Sequence, residues 1–221
     1  MKIKKINVVL ISVVTSLMLT VPTLAFANQT GDIIVRGGVS LVVPDSSKSP
    51  ILLNGADSGL ALTVDDNSQI SGTFAYFLNS NWAIEAIVAT PFTHDVALEG
   101  GNVAEITHLP PIISALYYFD TSSSFQPYVG VGINYTFFWD EKFNSAGQAS
   151  GFSNLSLDSS VGLAVQVGVD YYFNDAWFIN ATLRYAGIET DVTFDVANGA
   201  KGSATIDVDP TVYSLMVGYK F

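Results

Sequence analysis

Apolar and polar side chains alternate along much of the chain, and the last nine residues show this most clearly. From Tyr213 to Phe221 every second residue is large and apolar, whereas Ser214, Gly218 and Lys220 lie at the positions between. A β-strand directs alternate side chains to opposite faces, so one face of this segment is apolar and the other small or polar. The pattern predicts a strand that lies between lipid and the polar lumen of a barrel.

Eight segments have a strand-like character, and the connections between them alternate between short and long. The short connections contain turn formers such as Asn79, Asp120 and Asn174, and the last two strands meet at Asn198-Gly199. This alternation predicts an all-β fold, an eight-stranded antiparallel up-and-down transmembrane barrel. The predicted strands are residues 32–43, 68–78, 82–92, 109–119, 126–138, 159–173, 177–197 and 203–221, and the long connections are 44–67, 93–108 and 139–158.

The sixth predicted strand indicates which face points outward. Its odd-numbered positions from Val161 to Phe173 are bulky and apolar, whereas the even-numbered positions include Gly162, Gln166 and Gly168. Such an extensive apolar set is unsuited to a surface in water, and small residues suit the narrow interior of an eight-stranded barrel. We therefore expect the apolar face to contact lipid. The fourth strand, 109–119, is apolar on both faces, and its sequence does not orient it.

The N-terminus has the features of a secretory signal peptide. Lys2, Lys4 and Lys5 precede an apolar run, and Ala25-Phe26-Ala27 fits a small-x-small cleavage site. The apolar run is shorter than the ~20 residues that a transmembrane helix needs. We expect residues 1–27 to be removed and residues 28–221 to form the barrel.

The composition excludes several classes of protein. The formal net charge is −11, which argues against nucleic acid as a partner. Cysteine is absent, so no disulfide stabilises the chain. Beyond the signal peptide, no window is apolar enough for a helical span. A location in the membrane therefore requires a closed barrel, because an open sheet edge leaves backbone groups unsatisfied in lipid.

Five stretches of the mature chain carry a family resemblance. The sequences ATPFTH at 89–94, HLPP at 108–111 and PYVGVGINYT at 127–136 are followed by QVGVDY at 166–171 and by a segment, 209–221, that begins DP and ends GYKF. In this order they resemble the OmpW family of bacterial outer-membrane proteins. The resemblance implies an eight-stranded barrel with a narrow lumen, linked to stress responses and to passage of small, often hydrophobic molecules. It implies no catalytic site and no cofactor.

The alternation of short and long connections predicts the orientation, and the resemblance suggests the partners. We expect both termini in the periplasm and the long loops outside the cell. The implied partners are outer-membrane lipid and lipopolysaccharide, small hydrophobic molecules or ions, and the outer-membrane barrel assembly machinery. Tyr219 and Phe221 are predicted to form the end that matters for membrane insertion, within an aromatic belt at the short-turn rim.

The alternation of side chains between the two faces of each strand predicts a set of polar side chains that line the lumen, because a charge on the lipid face would be costly. Two interpretations remain open: a structural ion-pair network that fills the interior, or a conduction path. An eight-stranded barrel is nearly filled by its side chains, so free diffusion of sizeable hydrophilic solutes is not expected. The predicted polar lining is Arg36, Glu85, Gln166, Asp170 and Arg184.

Apolar residues also occur on the inward faces. We expect Phe77 and Ile87 to form an apolar constriction in the upper or middle lumen. The predicted function is a narrow channel for small hydrophobic molecules or ions. The alternative is a barrel that transports nothing and acts as an adhesin, a receptor or a structural anchor through its extracellular loops.

Other chemistry has little support in the sequence. The two histidines, His94 and His108, flank one predicted loop, and two such ligands are poor grounds for a metal site or a hydrolase. Many acidic residues lie in the loops, where they form either a solvated surface or a place for divalent cations to bridge to lipopolysaccharide. We therefore predict no enzyme activity and name no metal site.

Overall fold

The described chain is almost entirely β-structure. The computed structural model describes residues 28–45, 49–64, 66–98 and 101–221, and the predicted signal peptide, 1–27, lies outside these ranges. One short helix, α1 (Ser145–Ala149), is present. Among the described residues, no helix is long and apolar enough to cross a membrane.

The strands vary in length from five to nineteen residues. They are β1 (Ile33–Val43), β2 (Ser49–Leu53), β3 (Ala56–Val64), β4 (Asn67–Phe77), β5 (Trp82–Ala89), β6 (Phe92–Leu98), β7 (Gly101–Leu109), β8 (Ile112–Tyr118), β9 (Phe125–Phe143), β10 (Phe152–Leu157), β11 (Ser160–Tyr172), β12 (Trp177–Ala186), β13 (Glu189–Val196), β14 (Lys201–Asp207) and β15 (Thr211–Lys220).

Eight of these strands close into an antiparallel barrel, which confirms the predicted fold class. The order is β1-β4-β5-β8-β9-β11-β12-β15, and β15 pairs back with β1. Val39, for example, is paired with Leu215 on one side and with Ile70 on the other. Because each barrel strand has a neighbour on both sides, its backbone groups are satisfied without water.

A second sheet continues the barrel wall beyond the long connections. We call this end of the molecule the upper end, and the end with the short turns and both described termini the lower end. The upper sheet has the order β10-β13-β14-β2-β3-β6-β7-β9, which repeats the order of the barrel strands that it extends. Its edges are β10 and β9, and α1 lies in the connection between them. The upper sheet is therefore an open extension of a closed barrel.

The predicted loops and two of the predicted strands are therefore corrected. The segments 44–67, 93–108 and 139–158 are mostly β-structure, and 177–197 and 203–221 are each two strands. The break in 203–221 ends at Pro210, and Pro91 likewise separates β5 from β6, since proline has no N–H for a ladder. The break in 177–197 lies at Gly187 and Ile188. The hairpin at Asn198-Gly199 is confirmed, since Gly199 has φ 83° and Val196 N donates to Ala200 O at 3.0 Å.

The two faces of the barrel wall differ as the sequence predicts. Val131 and Leu163 are 55% and 68% exposed and point outward, whereas Gln166, on the other face of β11, is buried. The structure also orients β8, which the sequence left open. Ile113 points outward, and Leu116 is fully buried in the lumen.

Aromatic side chains lie in contact around the lower rim. The rings of Trp177 and Tyr219 are 4.9 Å apart between centroids, and those of Tyr219 and Phe221 are 4.6 Å apart. Trp82 and Tyr117 form a similar pair on the wall strands β5 and β8. Aromatic rings of this kind are enriched at the interface between lipid and water.

A charge introduced on the outer face tests this sidedness. Val131→Arg places a guanidinium at the middle of β9, and we expect it to lower the free energy of unfolding by about 2–4 kcal/mol, because the charge would face hydrocarbon. Urea titration of the protein folded in lipid vesicles measures the change. The control is Ser156→Arg at an exposed position in β10 of the upper sheet, with an expected change within about 0.5 kcal/mol. Equal effects at the two positions would contradict the assignment of the lipid face.

Candidate functional site

Aromatic and aliphatic side chains fill the lower end of the lumen. Phe77 and Tyr118 lie with ring centroids 5.0 Å apart, Tyr118 and Tyr128 are 4.9 Å apart, and Tyr172 and Phe178 are 4.7 Å apart. All five rings are almost completely buried. We call this group, together with Ile34, Ala75, Ala83 and Leu116, the lower plug.

The position of Phe77 corrects one prediction. We expected Phe77 and Ile87 to share a constriction in the upper or middle lumen. Phe77 is paired with Ala83 beside the short turn, whereas Ile87 is paired with Thr73, four residues further along β5. Four residues of a strand span roughly 13 Å, so the two side chains lie at different levels and do not form one constriction. Their contribution to passage of a solute stays a prediction.

Arg36 lies directly above the lower plug and makes several charged contacts. Its Nη1 donates to Glu85 Oε2 at 2.8 Å, and its Nη2 donates to Asp170 Oδ2 at 2.8 Å. Nε donates to Asp170 Oδ1 at 3.3 Å, so the guanidinium binds both oxygens of this carboxylate. Arg36 also donates to the hydroxyls of Thr73 and Tyr118. Arg36 is 2% exposed, so these partners replace the water that a buried charge loses.

The remaining predicted polar residues join the same network. Gln166 Nε2 donates to Glu85 Oε1 at 2.9 Å, and Gln166 Oε1 accepts from Arg184 Nε at 2.7 Å. Arg184 Nη2 lies 3.5 Å from Glu85 Oε1. We call Arg36, Glu85, Gln166, Asp170 and Arg184 the floor network. It contains two positive and two negative side chains, so it is formally neutral.

Tyr128 and Asn180 support the floor network, although neither was among the predicted lining residues. Asn180 Nδ2 donates to Asp170 Oδ1 at 2.7 Å and to the Tyr128 hydroxyl at 2.9 Å. The Tyr128 ring reaches this position because the residue opposite, Gly168, has no side chain. A Cβ at Gly168 would lie 2.4 Å from the ring. The position of Tyr128 and Asn180 on the inward faces of their strands was the feature of the sequence that could have indicated this contact.

An apolar chamber lies above the floor network. Its wall includes Ile87, Ile112, Ala186, Ile188 and Val208, and its cavity volume is about 90 Å³. Ligand pockets in proteins are mostly apolar, with a few polar groups that orient the ligand. The chamber could therefore hold a small apolar molecule. Its upper part is shared with the apolar core of the upper sheet through Val96, Ile106 and Ile206.

The barrel wall is interrupted beside the chamber. In the described part of the chain, the ladder between β5 and β8 ends at the pair Ile87–Ile112. The ladder between β6 and β7 begins at the pair Phe92–His108. Pro91 lies in the interval and has no N–H to donate. The wall therefore loses its regular backbone hydrogen bonds at this level.

Chamber residues reach this interruption from inside. Ala89, Pro110 and His108 line the chamber, and each lies in or next to the unpaired interval. Of the two predicted histidines, His108 therefore belongs to the chamber wall, whereas the side chain of His94 is outside the described part. Within the described ranges, no group of three or more His, Asp or Glu side chains is placed to hold a metal ion.

A closed sheet with an apolar outer face, an aromatic lower rim and charges buried in its lumen is a transmembrane β-barrel. The model of the OmpW family matches residues 29–221. The chain belongs to this family of bacterial outer-membrane proteins, which are barrels and not enzymes.

Known relatives support the assignment over most of the chain. Outer membrane protein W of Vibrio cholerae is 43% identical over 203 residues, which cover 89% of this chain and 91% of the relative. Outer membrane protein W of Escherichia coli is 39% identical over 220 residues, covering 99% and 100%. The crystal structure of the outer membrane protein OprG from Pseudomonas aeruginosa superposes with a TM-score of 0.84 at 40% identity, covering 89% of this chain and 99% of OprG.

Removal of one carboxylate tests the floor network. We expect Asp170→Asn to lower the free energy of unfolding by about 3 kcal/mol, because Arg36 would keep a buried charge with one partner fewer. Urea titration in lipid vesicles measures the loss. The matched control is Asp32→Asn, whose partner Lys220 is 3.7 Å away at the partly exposed lower rim, and whose expected cost is below about 1 kcal/mol. A loss as small as that of the control would show that the network does not hold the floor together.

Proposed function

We propose that the protein lets small hydrophobic molecules cross the outer membrane through the apolar chamber. The observation that carries this proposal is the position of the chamber, between an apolar upper end and a closed, charged floor. In this arrangement the long hairpins face the outside of the cell, and the short turns and termini face the periplasm. The chamber then opens toward the medium from which a solute arrives.

The lining of the chamber favours apolar solutes. Burial of apolar surface contributes about 25 cal/mol per Å², so a molecule that buries roughly 200 Å² gains about 5 kcal/mol. That gain must offset the loss of freedom on binding, which leaves weak and reversible occupancy. Weak occupancy suits passage, because a solute that binds tightly would not leave. A hydrophilic solute would gain nothing from the aliphatic wall and would lose hydration.

The charged floor favours the structural interpretation of the predicted lumen charges. Arg36, Glu85 and Asp170 are each at most 2% exposed and use their charges on one another. The lower plug fills the lumen beneath them. A straight path for ions along the barrel axis would have to break this network and displace several rings. Passage of ions is therefore the less favoured part of the earlier prediction.

A route through the side of the barrel avoids the floor. The interruption of the wall between Ile87 and Phe92 lies at the level of the chamber, and Ala89 and Pro110 line both. Lateral exit would place an apolar solute in the lipid, where it is soluble. This route requires no water-filled pore, which agrees with the small interior of an eight-stranded barrel.

Two partners remain proposals from the sequence. The upper hairpins would lie among the lipopolysaccharide headgroups, and Tyr219 with Phe221 would present the end of β15 to the barrel assembly machinery. The lipid contact itself follows from the membership of an outer-membrane family.

Filling the chamber tests the proposed function. Ala186→Phe adds a ring within the chamber, and we expect uptake of radiolabelled naphthalene to fall to the rate of cells without the protein, because the solute and the new ring compete for one space. The matched control is Ala181→Phe, the same change on the lipid face of the same strand. Heat-modifiable migration on gels shows that both variants fold. Normal uptake by a folded Ala186→Phe variant would contradict passage through the chamber.

A further inference from the structure

The bottom of the apolar chamber is polar. Arg184, Ser40 and Ser71 line it from three different strands. All three side chains are buried, with 4%, 4% and 7% exposure. Immediately above them lie aliphatic side chains such as Ile87 and Ile188. One end of the chamber therefore offers hydrogen-bond donors and a positive charge, and the rest is mostly apolar, with His108 and Thr190 as its polar lining residues.

Arg184 is the less tightly held cation of the floor network. Its Nε donates to Gln166, and its Nη2 is 3.5 Å from Glu85, whereas Arg36 lies 2.8 Å from the same carboxylate. A guanidinium has five N–H donors. Among the described residues, only the Nε proton of Arg184 has a hydrogen-bond acceptor in the protein. The Nη1 donors are available to a group that enters the chamber, and the Nη2 donors are held only by the longer contact with Glu85.

The serine hydroxyls add a further donor. Ser40 Oγ is 2.6 Å from Ser71 Oγ and 2.7 Å from Ser214 Oγ. These two hydrogen bonds use two of the three hydroxyl protons. At least one O–H of the group is therefore left to donate elsewhere, and two of the three serines line the chamber.

We infer that the preferred occupant of the chamber is an amphiphile, an alkyl chain that ends in a carboxylate. The carboxylate lies against Arg184 and the serine hydroxyls, and the alkyl tail lies among Ile87, Ile112 and Ile188. This inference rests on the proposed function and names its substrate class. Charge-assisted bonds to a guanidinium fix the carboxylate, and the tail gains from apolar burial. A cationic head would meet the charge of Arg184 and is disfavoured.

Three ligands with the same decyl chain test the choice of headgroup. The full mature barrel in nanodiscs is titrated calorimetrically with decanoate, decanol and decyltrimethylammonium, and binding to empty nanodiscs is subtracted. We expect the order decanoate, decanol, decyltrimethylammonium from tightest to weakest. In Arg184→Gln, decanoate affinity falls about tenfold, the size of one charge-assisted bond, while decanol affinity changes less than about twofold. The control Lys201→Gln removes an exposed charge of the upper sheet and leaves all three affinities unchanged.

A second variant distinguishes the loss of the carboxylate contact from misfolding of the floor. Arg184→Gln combined with Glu85→Gln keeps the floor network formally neutral, and it too should lose the preference for decanoate over decanol. Preference retained in both variants would overturn the inference. A wild-type barrel that prefers decanol would also overturn it, and continued naphthalene uptake in that case leaves the proposed function standing. A wild-type barrel that binds no decyl compound and takes up no naphthalene would overturn both.

Discussion

A membrane offers no water to the backbone, so each N–H and C=O of a spanning segment must find its partner within the protein. The eight strands satisfy this requirement by closing β15 onto β1. Closure with eight strands also fixes the size of the lumen, which is only wide enough for side chains to fill. The small inward residues and the buried floor follow from this limit. Gly168, for example, makes room for the ring of Tyr128.

The lumen is divided into levels of different polarity. The lower plug is aromatic, the floor network is charged, and the chamber above it is aliphatic. A buried ion pair costs desolvation energy that its attraction barely repays, so such a network adds little net stability over an apolar core. What it provides is a rigid and occluding surface with all of its charges paired. That surface leaves the upper chamber as the space in which a solute can lie.

The sequences of the wall strands predicted the barrel well, because a strand between lipid and the lumen must place apolar side chains on its outer face. The alternation in β11, with Val165 outward and Gln166 inward, predicted which face contacts lipid. The same alternation in the other strands predicted that Arg36, Glu85, Asp170 and Arg184 face the lumen. The alternation shows which face of the wall a side chain occupies, but not how far along the barrel axis it lies. For that reason Phe77 and Ile87 were assigned to one constriction although they lie at different levels. Strands β2, β3, β6, β7 and β10 of the upper sheet were taken for loops, because they lack the continuous apolar face that lipid requires, whereas β13 and β14 were predicted as extensions of the last two strands.

The central claim is that an accessible chamber ends at a closed floor. The chain has no cysteine, so single-cysteine variants of the barrel in nanodiscs report on one position each. Ile188→Cys lies in the chamber and Ala75→Cys in the lower plug. The account predicts that N-ethylmaleimide modifies the thiol at position 188 and spares the thiol at position 75. Rapid modification at both positions would show a continuous pore, and protection at both would show that no accessible chamber exists.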